Sequence, residues 1–169
     1  MKKLHSLRQR LVDLQSRPPA TWSETGSQSR PNLHGLLRYP AMMVPRMQGD
    51  IIDAILASTK RESRVLDPFV GSGTVMTEAL VRGLNFTGID INPLAALVCE
   101  AKAAIDAGVD VEGAAQVLLD TLRRDVSEAI DVDFPGRTKW FDDDSGRKFS
   151  ILRRSIMSIN DIAARKVMW

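Results

Sequence analysis

Apolar residues recur at Leu4, Leu7, Leu11 and Leu14 on a basic and polar background, a spacing that predicts a helical stripe over Leu4–Gln15. Ser16–Pro31 breaks the pattern with Pro18, Pro19, Gly26, four serines and Pro31, the composition of a linker or irregular arm. A helix is predicted from Pro45, where a missing N–H costs nothing in the first turn, to about Ser58, with Met47, Ile51, Ile52, Ile55 and Leu56 as its buried face. The apolar run Arg64–Phe69 predicts a strand that empties into a glycine turn. A helix over about Thr74–Arg82 follows and ends at Gly83. Asn85–Asp90 predicts a second strand, and Pro93 starts a helix that runs to about Ile105. Beyond the break at Asp106–Gly108 a helix is expected over Val111–Ile130, then a loop over Asp131–Gly136. Trp140-Phe141 leads into Asp142–Asp144, which reads as a helix N-cap. The last helix carries Phe149, Leu152, Ile156, Ile159 and Ala163 on one face and stays in register to Trp169.

Two strands joined through a helix, set among at least four other helical patterns, predict an α/β fold with a parallel strand pair. Two parallel strands do not make a self-sufficient sheet, because such strands need neighbours and cover on both faces. The expectation is therefore an incomplete sheet, the front part of a larger fold. Residues 1–32 read as a basic arm and linker, and 33–169 as the folded part.

At 169 residues, 44% apolar and 26% charged, the chain has the composition of one ordinary globular domain. Its single cysteine, Cys99, excludes an internal disulfide, fits a reducing compartment, and lies in an apolar stretch that predicts a buried thiol. No run approaches the ~18 apolar residues of a membrane span, and the basic N-terminus lacks the apolar core of a secretory signal. A cytoplasmic location is expected. The net charge of +2 hides an asymmetry, since residues 1–48 hold eight Lys/Arg against Asp13 and Glu24. Such an arm suits a polyanion such as nucleic acid, or serves only to keep the chain solvated.

The chemistry concentrates in Val65-Leu66-Asp67-Pro68-Phe69-Val70-Gly71-Ser72-Gly73-Thr74, a strand running into a Gly-x-Gly turn that opens a helix. Glycines serve there because a ligand must lie against bare backbone at the carboxyl edge of the strand. The next strand ends in Gly88-Ile89-Asp90, and Asp90 stands 23 residues after Asp67. In this topology an acid at that place accepts hydrogen bonds from ribose hydroxyls. A dinucleotide fingerprint wants a third glycine where Met76 stands, and a P-loop wants a lysine that does not follow Gly73. S-adenosylmethionine fits better. It has a ribose for Asp90 and no pyrophosphate, and its sulfonium and amino groups tolerate the carboxylate of Asp67.

At these residues the sequence resembles the amino-group-directed DNA methyltransferases, which modify adenine N6 or cytosine N4. Asp67–Thr74 resembles their cofactor motif, Glu78-Ala79-Leu80 and Gly83 the helix after it, and Gly88–Ala95 their ribose-binding strand end. Leu33–Pro45, containing Tyr39-Pro40-Ala41, is similar to the segment that precedes the first strand in that family. Trp140-Phe141 and the helix after it resemble an insertion found in some members. The resemblance implies a Rossmann-like class I methyltransferase fold, S-adenosylmethionine as cofactor and DNA as partner. It implies that Asp90 holds the ribose, with Asn92 beside it and Ile91 against the adenine. Pro68, Phe69, Gly71, Ser72 and Gly73 would shape the wall, with Asp67 and Thr74 near the methionine end, and Tyr39 and Pro40 closing the pocket.

Family members orient the target amine with an Asp/Asn/Ser-Pro-Pro-aromatic tetrapeptide, whose polar groups accept from the amine while the aromatic stacks on a flipped base. No such tetrapeptide occurs here. The one Pro-Pro pair, Pro18-Pro19, lies between Arg17 and Ala20 and reads as linker. No catalytic residue is therefore assigned, and a downstream segment or a second chain is expected to complete the site. His5 and His34 have no partners at metal-ligand spacing, and no metal site is expected. Two other readings remain: an RNA methyltransferase acting on guanine N2, and a non-catalytic cofactor- or partner-binding subunit.

Overall fold

The computed structural model describes residues 6–22, 32–37, 39–40, 42–59 and 62–169. The chain forms two compact units, Met1–Lys102 and Ala103–Trp169. In the first, α1 (Leu7–Gln15) precedes two short 3₁₀ turns, Pro19–Trp22 and Asn32–Gly35. These are followed by α2 (Pro45–Leu56), β1 (Arg64–Asp67), α3 (Thr74–Val81), β2 (Asn85–Gly88) and α4 (Pro93–Asp106), of which residues 103–106 fall in the second unit. The second unit contains α5 (Val111–Arg124), α6 (Arg137–Trp140), α7 (Asp143–Met157) and α8 (Ile162–Met168).

The two strands pair in parallel, with Arg64, Val65, Leu66 and Asp67 opposite Asn85, Phe86, Thr87 and Gly88. A parallel pair needs a crossover, and α3 supplies it. Val70, Met76 and Cys99 form a buried cluster on which Leu80 and Phe86 pack. The opposite face of the pair leaves Leu66 64% and Ile89 55% exposed. Among the described residues the α/β expectation thus holds in its coarse form, a helix-rich chain with two parallel strands. No described helix is long and apolar enough to cross a membrane.

Helix starts follow their caps. Ser6, Asp110, Asp142 and Asp161 accept backbone N–H groups of the first turns of α1, α5, α7 and α8, and Pro45 occupies the first turn of α2. The expected start at Leu4 lies outside the described residues.

The buried face of α2 differs from expectation. It consists of Pro45, Gly49, Ile52 and Ala54, while Met47 and Ile55 are 38% and 42% exposed. The cause is close approach to α3: a Cβ on Gly49 would lie 2.5 Å from Glu78 Oε2 and 2.6 Å from Arg82 Nη2. Met47 lines a groove of about 300 Å³ with Leu11, Leu14, Trp22 and Ile51 instead.

Two corrections fall in the second unit. The helix expected over Val111–Ile130 stops at Arg124. Arg154 holds Asp125 from α7, with Nε 2.7 Å from Oδ2, and also grips Asp131. This pins the following segment in an extended path, and Ser150 secures it further. The buried Ser150 Oγ accepts from Asp131 N at 2.7 Å and Val132 N at 3.0 Å, and donates to Gly146 O at 2.9 Å. The single last helix is in fact α7 and α8, broken where Asp161 caps Ala163 N and Ala164 N and where Arg165 donates to the carbonyl of Ile159. Ile159 nevertheless stays buried, packed with Ala114 and Ala164.

Ser150 and Ser155 are both fully buried on α7, but Ser155 Oγ has no hydrogen-bond partner. Ser150→Ala orphans two backbone N–H groups and is expected to cost about 2 kcal/mol in urea unfolding, whereas Ser155→Ala removes an unpaired buried hydroxyl and is expected to leave stability unchanged or raise it by about 1 kcal/mol. Equal effects would refute the role given to Ser150.

Candidate functional site

The site is built where both strands end. Ile89 N donates to Asp67 O at 2.9 Å and Val70 N to Ile89 O at 3.0 Å, so the ladder continues one step past the regular strands. The chain then turns back through Gly71 (φ +50°) and Gly73 (φ +73°) into α3. Both values lie in the left-handed region that favours glycine. At Gly73 there is also no space, since a Cβ would stand 2.9 Å from Cys99 Sγ.

Asp90 ties this turn to the second strand. Its Oδ2 accepts from Gly71 N at 2.8 Å and its Oδ1 from Asn92 N at 2.8 Å. These backbone donors, Asn92 first and Gly71 next, hold its carboxyl below the usual carboxylate range. Asn92 extends the string in two directions: its Oδ1 accepts from Leu94 N at 3.0 Å, and its Nδ2 donates to Tyr39 Oη at 2.8 Å. Tyr39, Asn92, Asp90 and Gly71 thus form one hydrogen-bonded line along the mouth of the two strands. Pro40, beside Tyr39, is exposed.

The other anticipated residues fall into two groups. Phe69 is 83% exposed and Ile91 fully exposed, so their side chains flank the turn as open apolar surface; Pro68 is exposed beside them. Ser72 and Thr74 are instead buried beneath the turn, their hydroxyls 3.3 Å apart. Asp67 is half-buried. Its Oδ1 accepts from Phe69 N at 3.0 Å, while its Oδ2 is enclosed and lacks a hydrogen-bond partner. An enclosed carboxylate oxygen without a donor is costly unless something completes it.

Several supporting contacts were not anticipated, although the burial of Cys99 was. Lys102, fully buried, donates from Nζ to Ser72 O at 2.7 Å and so holds the turn from below. Its place on the buried stripe of α4, after Ala95, Val98 and Cys99, was the available signal. Cys99 Sγ lies 3.6 Å from Gly71 O, and burial pushes its thiol up. His34, also fully buried, meets Glu78 Oε1 at 2.8 Å, and Glu78 Oε2 meets Arg82 Nη1 at 2.6 Å. Arg82 grips Asp53 on α2 through Nε and Nη2, at 2.7 and 2.8 Å. That hydrogen bond holds the Asp53 carboxyl below its ordinary range. Among the described residues no cluster of His, Cys, Asp and Glu could hold a metal ion.

Known proteins resemble this part of the chain in sequence. The family model described as DNA methylase matches residues 20–98, the stretch that holds the turn, both strands and the Tyr39 segment. The Type II methyltransferase M.MvaI of Kocuria varians is 41% identical over 64 residues, covering 38% of this chain and 14% of its own length. M.MjaII of Methanocaldococcus jannaschii, also a Type II methyltransferase, is 31% identical over 97 residues, 55% of this chain and 16% of its own. M.BsoBI of Geobacillus stearothermophilus, of the same description, is 32% identical over 74 residues, 44% of this chain and 14% of its own. The chain therefore spans only a small part of the length of these relatives. No solved structure gives a significant match. Through the segment that carries the glycine turn and Asp90, the chain is similar to the DNA methylase family and to these Type II methyltransferases.

Proposed function

We propose that this chain is the S-adenosylmethionine-binding portion of a DNA methyltransferase acting on an exocyclic amine of adenine or cytosine. We further propose that residues 33–169 follow the Rossmann-like class I plan, with 1–32 as a basic arm. The observation that carries this reading is the line Tyr39–Asn92–Asp90–Gly71 at the carboxyl end of two parallel strands.

The residues present suit the cofactor. Each Asp90 oxygen takes one backbone N–H and keeps acceptor capacity, which is what a ribose diol requires. The exposed Ile91 beside it offers an apolar contact for an adenine ring, and the partnerless Asp67 Oδ2 offers an anionic acceptor for the ammonium end. When bound, the cofactor supplies a methyl group on a sulfonium. This chain's part is to hold the ribose through Asp90, to keep the glycine turn in place from Lys102, and to close the pocket with Tyr39 and Pro40. Eight basic residues within 1–48 suit contact with the DNA backbone.

Orientation of the target amine has no source within the sequence, which contains no Asp/Asn/Ser-Pro-Pro-aromatic. We assign that step to a further segment or a second chain, so that the 169 residues bind cofactor but do not transfer methyl on their own. The guanine-N2 RNA reading is weakened by the match of residues 20–98 to a DNA methylase model, a match that a non-catalytic cofactor-binding subunit would share.

Isothermal titration of the purified chain with S-adenosylmethionine, together with transfer of labelled methyl to mixed DNA, tests the proposal. Binding without transfer is expected. Transfer by the chain alone would refute the missing-step assignment, and a lack of binding would refute the cofactor assignment. Asp90→Asn sets an amide N–H against a backbone N–H and is expected to weaken binding by about a hundredfold.

The Asp90 carboxyl is held low in the folded state. Its contribution is therefore complete above the ordinary carboxylate range and lost only as pH falls through the lowered value. Cofactor affinity is accordingly expected to stay flat from neutral pH to about pH 4 and to fall below that, as read by titration over a pH series.

Gly73→Ala meets both strain and the Cys99 sulfur, whereas Gly83→Ala at φ +68° meets no neighbour. The first should abolish binding, and the second should cost only about 1–2 kcal/mol of stability.

A further inference from the structure

Tyr39 and Asn92 are 53 residues apart in the chain, and their contact is the one hydrogen bond described between the 3₁₀-turn segment and the strand ends. Something must bring that segment to the site. Five residues before Tyr39, the Asn32–Gly35 turn carries His34, which is fully buried. With an ionised Glu78 as acceptor, His34 Nε2 donates across 2.8 Å. Nδ1 is buried without a hydrogen-bond partner.

As a stabilising device this is a poor arrangement. A leucine there would fill the space without leaving a buried ring nitrogen unpaired or needing a carboxylate beside it. What the arrangement provides is direction. Glu78 lies on α3, the helix whose first turn is the glycine turn of the site. Arg82 clamps its second oxygen, and that arginine is itself held bidentately by Asp53 on α2. Gly49 leaves the room for the clamp, since any side chain there would collide with Glu78 and Arg82. The acceptor for His34 is thus fixed from two helices.

We propose that His34 is a positioning residue for the cofactor pocket, and that the His34–Glu78–Arg82–Asp53 chain anchors the upstream segment to α3 so that Tyr39 reaches Asn92. This rests on the cofactor reading above for its consequence, but not for its geometry. The segment is held at two points, on α3 through His34 and at the end of β2 through Tyr39. Releasing the first loosens the second.

Tyr39 is the sole tyrosine of the chain, so a tyrosine-selective isotope label gives one ring signal that reports the contact directly. His34→Leu is expected to move that signal toward its position in Asn92→Ala and to weaken S-adenosylmethionine binding by about tenfold, the scale of one lost hydrogen bond. His34→Gln places an amide N–H near the Nε2 position and is expected to restore both readouts. His34→Asn, equally polar but too short to reach Glu78, is expected to restore neither. The Gln and Asn pair makes the same comparison if the leucine variant does not fold. A folded His34→Leu or His34→Asn variant with the tyrosine signal unmoved would overturn the proposal, because a merely space-filling histidine predicts that result. If the tyrosine signal follows the expected order while even the unmodified chain binds no S-adenosylmethionine, the anchoring role stands and the cofactor reading fails.

Discussion

One carboxylate faces two peptide N–H groups where the strand pair ends, and much of the first unit depends on that meeting. Gly71 lies in a turn with left-handed backbone at two of its three central positions, a path that no regular ladder supports. Its N–H needs an acceptor, and Asp90 supplies one at 2.8 Å while taking Asn92 N with its other oxygen. The turn opens α3, and Asn92 caps the entry to α4 through Leu94 N. The charge therefore sits near the N-terminal ends of two helices, where negative charge is favoured. The same feature makes the corner suitable for a ligand. The glycine backbone is held open by a group that keeps acceptor capacity beyond these two N–H groups.

The underside of the turn is held by polar contacts as well. Lys102 donates to Ser72 O, Thr77 Oγ1 and N both donate to Gly73 O, and Cys99 lies against Gly71 O. A buried ammonium is expensive to place, and an apolar side chain would pack there at lower cost. Such contacts fix position more than they add stability. The apolar core explains the need: Ala54, Ala79, Ala95 and Ala101 make up much of the buried apolar set in this unit. Alanines permit close approach of helices but have no shape with which to specify register. Directional polar contacts supply the register instead.

The glycine turn, the acidic strand end and the helix caps were legible in the sequence because each is local. Gly73 answers to its own dihedral angle, Asp142 to an N–H group three residues away, and Pro45 to its missing donor. The features that escaped are those settled by distant partners. Periodicity carries a helix through Val111–Ile130, but Arg154, 29 residues after Asp125, decides where α5 ends. The stripe through Ile156 and Ile159 reads as one helix because Ile159 does stay buried, even though α7 and α8 part there. On α2 the apolar pattern named Met47 and Ile55, and the structure buried Gly49 and Ala54, because a bulky Glu78–Arg82 pair stands opposite. His34 carried no local signal, since its partner is 44 residues away.

That distribution bears on how the site can work. Methyl transfer to a delocalised amine is governed by placement of the donor methyl group in line with the nitrogen, and small displacements are costly. The cofactor half of such a reaction has to be rigid before the target base arrives, or binding energy is spent on ordering it. In this chain the ordering is carried by hydrogen bonds between elements distant in sequence: Gly71 to Asp90, Lys102 to Ser72, Asn92 to Tyr39, His34 to Glu78. None of them needs the exposed faces of Phe69, Ile89 or Ile91. The frame of the corner is thus separable from the apolar surfaces around it, and on the function proposed above those surfaces are left for the cofactor and for whatever brings the amine.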